Sequence, residues 1–190
     1  MIVDVLFSTT YALWLGVLAG LFLLIRNQSG AASKKIVIPS ALAAAVLSSA
    51  LGTVKVWEGL RTVPYYDIVG VLTVCYGETE GVLQKTYDPA ECEAMLKDRL
   101  MNDYYIPIVQ CSPNLLNAPV RVQAMSMSLA YNVGTGAWCG STMKRLIDNG
   151  EWNNACYQLP RWNKAGGVEV KGLTNRRNDE MQKCLGLKEL

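Results

Sequence analysis

The stretch from Val54 to Glu80, "VKVWEGLRTVPYYDIVGVLTVCYGETE", sets two carboxylates and a hydroxyl in a defined order: Glu58, eight residues, Asp67, five residues, Thr73. Glu58 lies between Trp57 and Gly59 in a short helical stretch. The following "VPYYDIVGVLTVCYG" is rich in Val, Tyr, Ile and Thr and carries Gly70 and Gly77 as turn points, so it reads as a small sheet. Two carboxylates near one cleft can divide acid and base work between them. Spacing alone does not assign that role, because a Glu and an Asp on surface loops are ordinarily solvated charges.

Upstream of this stretch the chain changes character. Between Val5 and Ile25, "VLFSTTYALWLGVLAGLFLLI" carries no charge. About 21 residues at roughly 1.5 Å each would cross a hydrocarbon core of about 30 Å, so the run reads as a transmembrane helix. A second uncharged run, "IVIPSALAAAVLSSALGTV" from Ile36 to Val54, is built from Ala, Ser and Gly and is a weak anchor, close to the threshold between lipid and water. The loop between them, "RNQSGAASKK", holds Arg26, Lys34 and Lys35, while the N-terminal flank has only Asp4. The positive-inside bias puts this loop in the cytoplasm and everything after Lys55 outside. The expected organisation is a transmembrane segment and loop over 1–30, a weakly hydrophobic signal-anchor helix over 31–54, and an exported domain over 55–190. A cleaved signal peptide, with Ser48 and Ala50 at the cleavage positions, is the rival reading of the second run.

The exported part holds 15 of the 18 Lys and Arg and 15 of the 16 Asp and Glu, so its formal charge is near zero. No basic field draws it to nucleic acid. All six cysteines, Cys75, Cys92, Cys111, Cys139, Cys156 and Cys184, fall in this part. An even number on the oxidising side of a membrane reads as three disulfides, with about 15 pairings open. The chain has no His and its cysteine spacings fit no zinc pattern, so neither a metal nor a cofactor is expected.

Downstream, "DPAECEAMLKDRLMNDYY" opens with Asp88 at an N-cap, Pro89 at the first helical position and Glu91 in capping-box position. "APVRVQAMSMSLAYNVG" has apolar residues at helical spacing with Gly134 as a stop, and should be the buried helix. Shorter helices are expected in "STMKRLIDNG", "EWNNACYQL" and "LTNRRNDEMQKCLG". The fold class is therefore α+β: a mainly helical domain with a small β-hairpin sheet, preceded by N-terminal hydrophobic helices.

The segment "WEGLRTVPYYDIVGVLTVCYGET" resembles the catalytic signature of phage-type lysozymes, glycoside hydrolase family 24. "LAYNVGTGAWCGSTMKRLIDNGEW" and "LPRWNKAGGVEVKGLTNRRNDEMQKCL" resemble that family's later helices in the same order. The resemblance spans nearly the whole chain from Lys55 onward. It implies a lysozyme-like domain and a muramidase that cuts the β-1,4 bond between N-acetylmuramic acid and N-acetylglucosamine. Glu58 would be the general acid, Asp67 would orient water or the developing cation, and Thr73 would assist that water. Inversion, the outcome the family implies, leaves room for water between carboxyls about 6.5 to 9.5 Å apart. Asn132 and Arg176 fall where the family places groove residues; a helix cap and a surface cation are their plainer readings. Where the family commonly reads Gly-His-Thr, this chain has Gly77-Glu78-Thr79, a departure that bears on a local ion pair rather than on the acid and base.

The whole architecture resembles signal-anchor-release endolysins, in which a weak N-terminal anchor holds a phage lysozyme inactive at the inner membrane until it slips free. That implies peptidoglycan glycan strands and the host inner membrane as partners, a monomer, and residence on the periplasmic face followed by release to the periplasm. No cysteine precedes Cys75, so the anchor carries no thiol and control by position is expected. A lytic transglycosylase on the same framework and a non-catalytic, membrane-tethered wall-binding protein are the competing functions.

Overall fold

The computed structural model describes residues 36–67 and 70–190, together with the backbone of a two-residue strand, β1 (Leu23–Leu24). Apart from that strand, the first apolar run and the loop after it lie outside the described residues. β1 pairs antiparallel with β2 (Val37–Ile38).

Helix α1 (Ser40–Glu58) follows Pro39 and ends at Gly59, whose φ of 71° is open to glycine at no steric cost. It is long and apolar enough to cross a membrane. Yet it runs unbroken through Val54 and Lys55, joining the second apolar run to the short helical stretch that carries Glu58. Val46, Ala50 and Val54 are fully buried on one side of it, and Thr53 is buried beside them. This face packs chiefly on α4 (Val120–Val133), whose residues from Val122 to Ala130 are all buried. A helix covered all round is the centre of a core. Gly134, with φ 87°, stops it where the sequence predicts.

Hairpin β3 (Arg61–Tyr66) and β4 (Leu72–Cys75) follows α1 directly. Tyr66 faces Leu72 and Tyr65 faces Thr73, and the register shifts between Tyr65 and Arg61. Pro64 lies inside that shift, where its missing N–H breaks the ladder. Helix α2 (Pro89–Arg99) begins with the expected capping box: Ala90 N–H donates to Asp88 at 2.7 Å, and the Glu91 carboxylate accepts from Asp88 N–H at 3.3 Å.

Helical sequence continues after Arg99, but Leu100–Tyr105 widens into a π-helix before α3 (Ile106–Cys111). Pro107 accounts for this: its ring cannot follow a regular α-turn, and the extra residue per turn absorbs the clash. Short helices α5 (Thr135–Cys139), α6 (Thr142–Asp148) and α7 (Trp152–Cys156) lead to a small hairpin, β5 (Lys164–Ala165) with β6 (Val168–Glu169). The last helix, α8 (Lys171–Leu185), packs on α4 and ends at Gly186 in the left-handed region.

Three disulfides resolve the open pairing: Cys75–Cys92 joins β4 to α2, Cys111–Cys139 joins α3 to α5, and Cys156–Cys184 joins α7 to α8. In the chain-entropy picture, loops closed over 17 to 28 residues each contribute about 3 to 3.5 kcal/mol by restricting the unfolded state. The architecture is the mainly helical α+β body with a small sheet that the sequence leads one to expect.

Candidate active site

Glu58 is the last residue of α1, where Gly59 turns the chain into the hairpin. Its side chain is 24% exposed and accepts from Arg176 Nη1 at 2.7 Å. Val56 is exposed, and the Trp57 indole donates to Asp179 on α8 at 3.1 Å. Polar contacts, not local apolar neighbours, define the surroundings of this carboxylate.

Asp67 opens the turn between β3 and β4. Its N–H donates to the Val71 carbonyl at 3.0 Å, and its Oδ1 accepts from Val71 N–H at 2.8 Å. This Asx-type bracing fixes the carboxylate against the hairpin's own backbone. Thr73 is buried on β4, and its hydroxyl donates to the Val71 carbonyl at 3.0 Å, which leaves the oxygen's lone pairs to accept. Val71 therefore links Asp67 and Thr73 through its backbone.

Arg176 is not a surface cation: it is 4% exposed and spans two carboxylates, Glu58 through Nη1 and Glu180 through Nε at 3.0 Å. Its Nη2 is buried with no hydrogen-bond partner among the described residues. Asn132, near the end of α4, accepts through Oδ1 from Arg177 Nη2. The structure thus joins Glu58, Arg176 and Asn132 through one chain of hydrogen bonds, Arg176–Glu180–Arg177. Burial lowers the Arg177 guanidinium from its ordinary value, and Glu180 partly offsets this.

The hairpin is tied to the helical body beside this network. Tyr131 donates to the Tyr76 carbonyl at 2.6 Å, and burial together with the negative charge of Glu58 pushes its phenol up. Glu78, in the place of the family's His, is buried and pairs with Arg99 at 2.8 Å. An ion pair is present at this position, with its acidic member supplied by the turn that follows β4. Burial pushes the Glu78 carboxyl up, and Arg99 opposes that only in part.

Sequence reasoning missed Arg99, Arg177 and Glu180. The signal for the last was present: Arg176 and Glu180 are four apart on a helix, a spacing that brings opposite charges together. Among the described residues no group of His, Cys, Asp and Glu is arranged to hold a metal ion.

A carboxylate at a helix end, joined by one glycine turn to a small hairpin and backed by a buried arginine, is set on a lysozyme-like body. Residues 55–180 match the family model for phage lysozyme, and the chain belongs to that family. A SAR-endolysin of bacteriophage PS119 is 43% identical over 131 residues, covering 67% of this chain and 76% of the relative. A SAR-endolysin of Enterobacteria phage P21 is equally similar over the same length, covering 77% of the relative. Among solved structures, the active form of the phage P1 endolysin matches with a TM-score of 0.65 at 25% identity, over 78% of this chain and 94% of that one. A P22 lysozyme mutant has the same fold, with a TM-score of 0.63 at 24% identity over 73% and 96% of the two chains.

Proposed function

We propose that this phage-lysozyme-family protein is an endolysin whose muramidase activity hydrolyses the β-1,4 bond between N-acetylmuramic acid and N-acetylglucosamine, lysing the host. The observation that carries the reading is Glu58: a carboxyl at the end of α1, partly open to solvent and oriented by a buried arginine, in a chain of this family. Glu58 gives its proton to the leaving glycosidic oxygen as the C1–O bond breaks. Asp67 orients water on the opposite face and takes its proton as the water oxygen bonds to C1, and the Thr73 hydroxyl accepts a hydrogen bond from that water. The anomeric carbon inverts. Arg176 orients Glu58, and Asn132 lies at the edge of the glycan groove.

The names of the relatives support an anchored precursor, released from the inner membrane into the periplasm. The double character of α1 gives that reading a physical basis: the helix is apolar enough for lipid, and its buried face has a place on α4. In lipid, the helix that ends at Glu58 is held apart from α4, and the site is incomplete. The protein acts as a monomer on glycan strands.

Glu58→Gln keeps size and hydrogen bonding but carries no transferable proton. Hydrolysis of purified peptidoglycan should fall by roughly 10²-fold to 10⁴-fold with folding retained. Near-normal turnover would overturn the assignment, and anhydro-muramic ends in the digest would select a transglycosylase.

A further inference from the structure

Glu58 stands at the end of α1, and Arg176 Nη1 donates to it at 2.7 Å. The adjacent Val56 is exposed and the Trp57 indole turns to Asp179, so neither neighbour fixes the carboxyl. What holds Arg176 therefore decides where the Glu58 carboxyl stands.

A second carboxylate lies one layer deeper. Glu180 is fully buried in α8. Its Oε1 accepts from Arg176 Nε at 3.0 Å and from the Ser128 hydroxyl of α4 at 2.7 Å, and its Oε2 accepts from Arg177 Nη1. Arg177 is held in turn by the Asn132 side chain and the Trp162 carbonyl. Both guanidiniums are therefore locked, and one carboxylate sits between them.

The structure assigns Glu180 a positioning role in the reaction: from the buried side of α8 it fixes the Arg176 guanidinium so that Nη1 meets Glu58. This inference rests on the reading of Glu58 as the acid. Lys183, one turn beyond Glu180, is engaged by Asp179 and by Thr53 of α1 and so does not compete for this carboxylate.

The test is the steady-state kinetics of reducing-end release from purified peptidoglycan by detergent-solubilised full-length protein, with thermal unfolding followed in parallel. Glu180→Gln keeps the shape of the side chain but weakens its hold on Arg176, so kcat should fall by roughly tenfold to 10²-fold while KM changes less than about twofold. Because the effect runs through Arg176, Arg176→Gln combined with Glu180→Gln should be no slower than Arg176→Gln alone, whereas a merely structural role predicts losses that multiply. Unchanged kcat in folded Glu180→Gln, or multiplying losses in the double variant, would overturn the inference. If Glu180→Gln does not fold, Ser128→Ala decides, since it frees Glu180 Oε1 from α4: a lowered kcat at unchanged KM supports the role and an unchanged kcat sinks it. Near-normal turnover of Glu58→Gln removes the acid assignment beneath, whatever Glu180 does.

Discussion

Removing residues 1–54 deletes part of the core, although the resemblance to phage lysozymes begins only at Lys55. Ile38, Val46, Leu51 and Val54 are 2%, 0%, 8% and 0% exposed. At about 1.5 to 3 kcal/mol for each such side chain, their burial stabilises the fold by roughly 6 to 12 kcal/mol. That figure is an upper bound, because an unfolded chain already hides some of this surface. Even so, it is comparable with the whole stability of an ordinary domain, about 5 to 15 kcal/mol. The truncation also takes away Thr53, leaving Asp179 as the partner of the buried Lys183 ammonium among the described residues. A fragment of residues 36–190 should unfold cooperatively in urea, followed by circular dichroism, and should clear outer-membrane-permeabilised cells in a turbidity assay. A fragment of residues 55–190 should show no cooperative transition and no clearing. If the shorter fragment melts within about 2 °C of the longer one, α1 contributes little to the core and this reasoning fails.

The solvent face of α1 can be changed separately from its core face. Ser48 is exposed, and Ser49 only returns a hydrogen bond to the Ala45 carbonyl at 2.9 Å. Ser48→Leu with Ser49→Leu should therefore leave the folded body intact while strengthening insertion by several tenths of a kcal/mol per site, delaying or abolishing lysis after an uncoupler. Lysis on schedule while the protein still pellets wholly with membranes, or cleavage of the wild type by signal peptidase, would remove release as the control. Two carboxylates give opposite pH trends. Hydrogen bonds from Lys55 and then Lys97 hold Glu93 down to about 2, so its contribution is present above its ordinary 4.5 and is lost as pH falls toward 2. Burial pushes Glu78 up, so its contribution is present below 4.5 and is lost as pH rises through the folded value. Thermal midpoints of Glu93→Gln and Glu78→Gln against wild type over the acid range should show these two signs.

The sequence by itself determined what depends on near neighbours. Asp88, Pro89 and Glu91 announce the start of α2 because a capping box closes within one turn, and the β-branched run broken by Gly70 announces the hairpin because strand pairing there spans few residues. The order Glu58, Asp67, Thr73 was legible for the same reason: a helix end and one hairpin carry all three. Partners distant in the chain were not legible. Fifteen cysteine pairings were open in sequence terms, and tertiary packing selected one by bringing β4 to α2, α3 to α5 and α7 to α8. Arg176 read as a surface cation or groove residue until α8 was laid against the end of α1, 118 positions away in sequence, which buried it against Glu58. The same docking decides α1 itself. Its mixture of Ala, Ser, Val and Leu is compatible with both lipid and a protein core, because both remove apolar surface from water, and only the complementary face of α4 docks the helix that ends at Glu58 into the folded body.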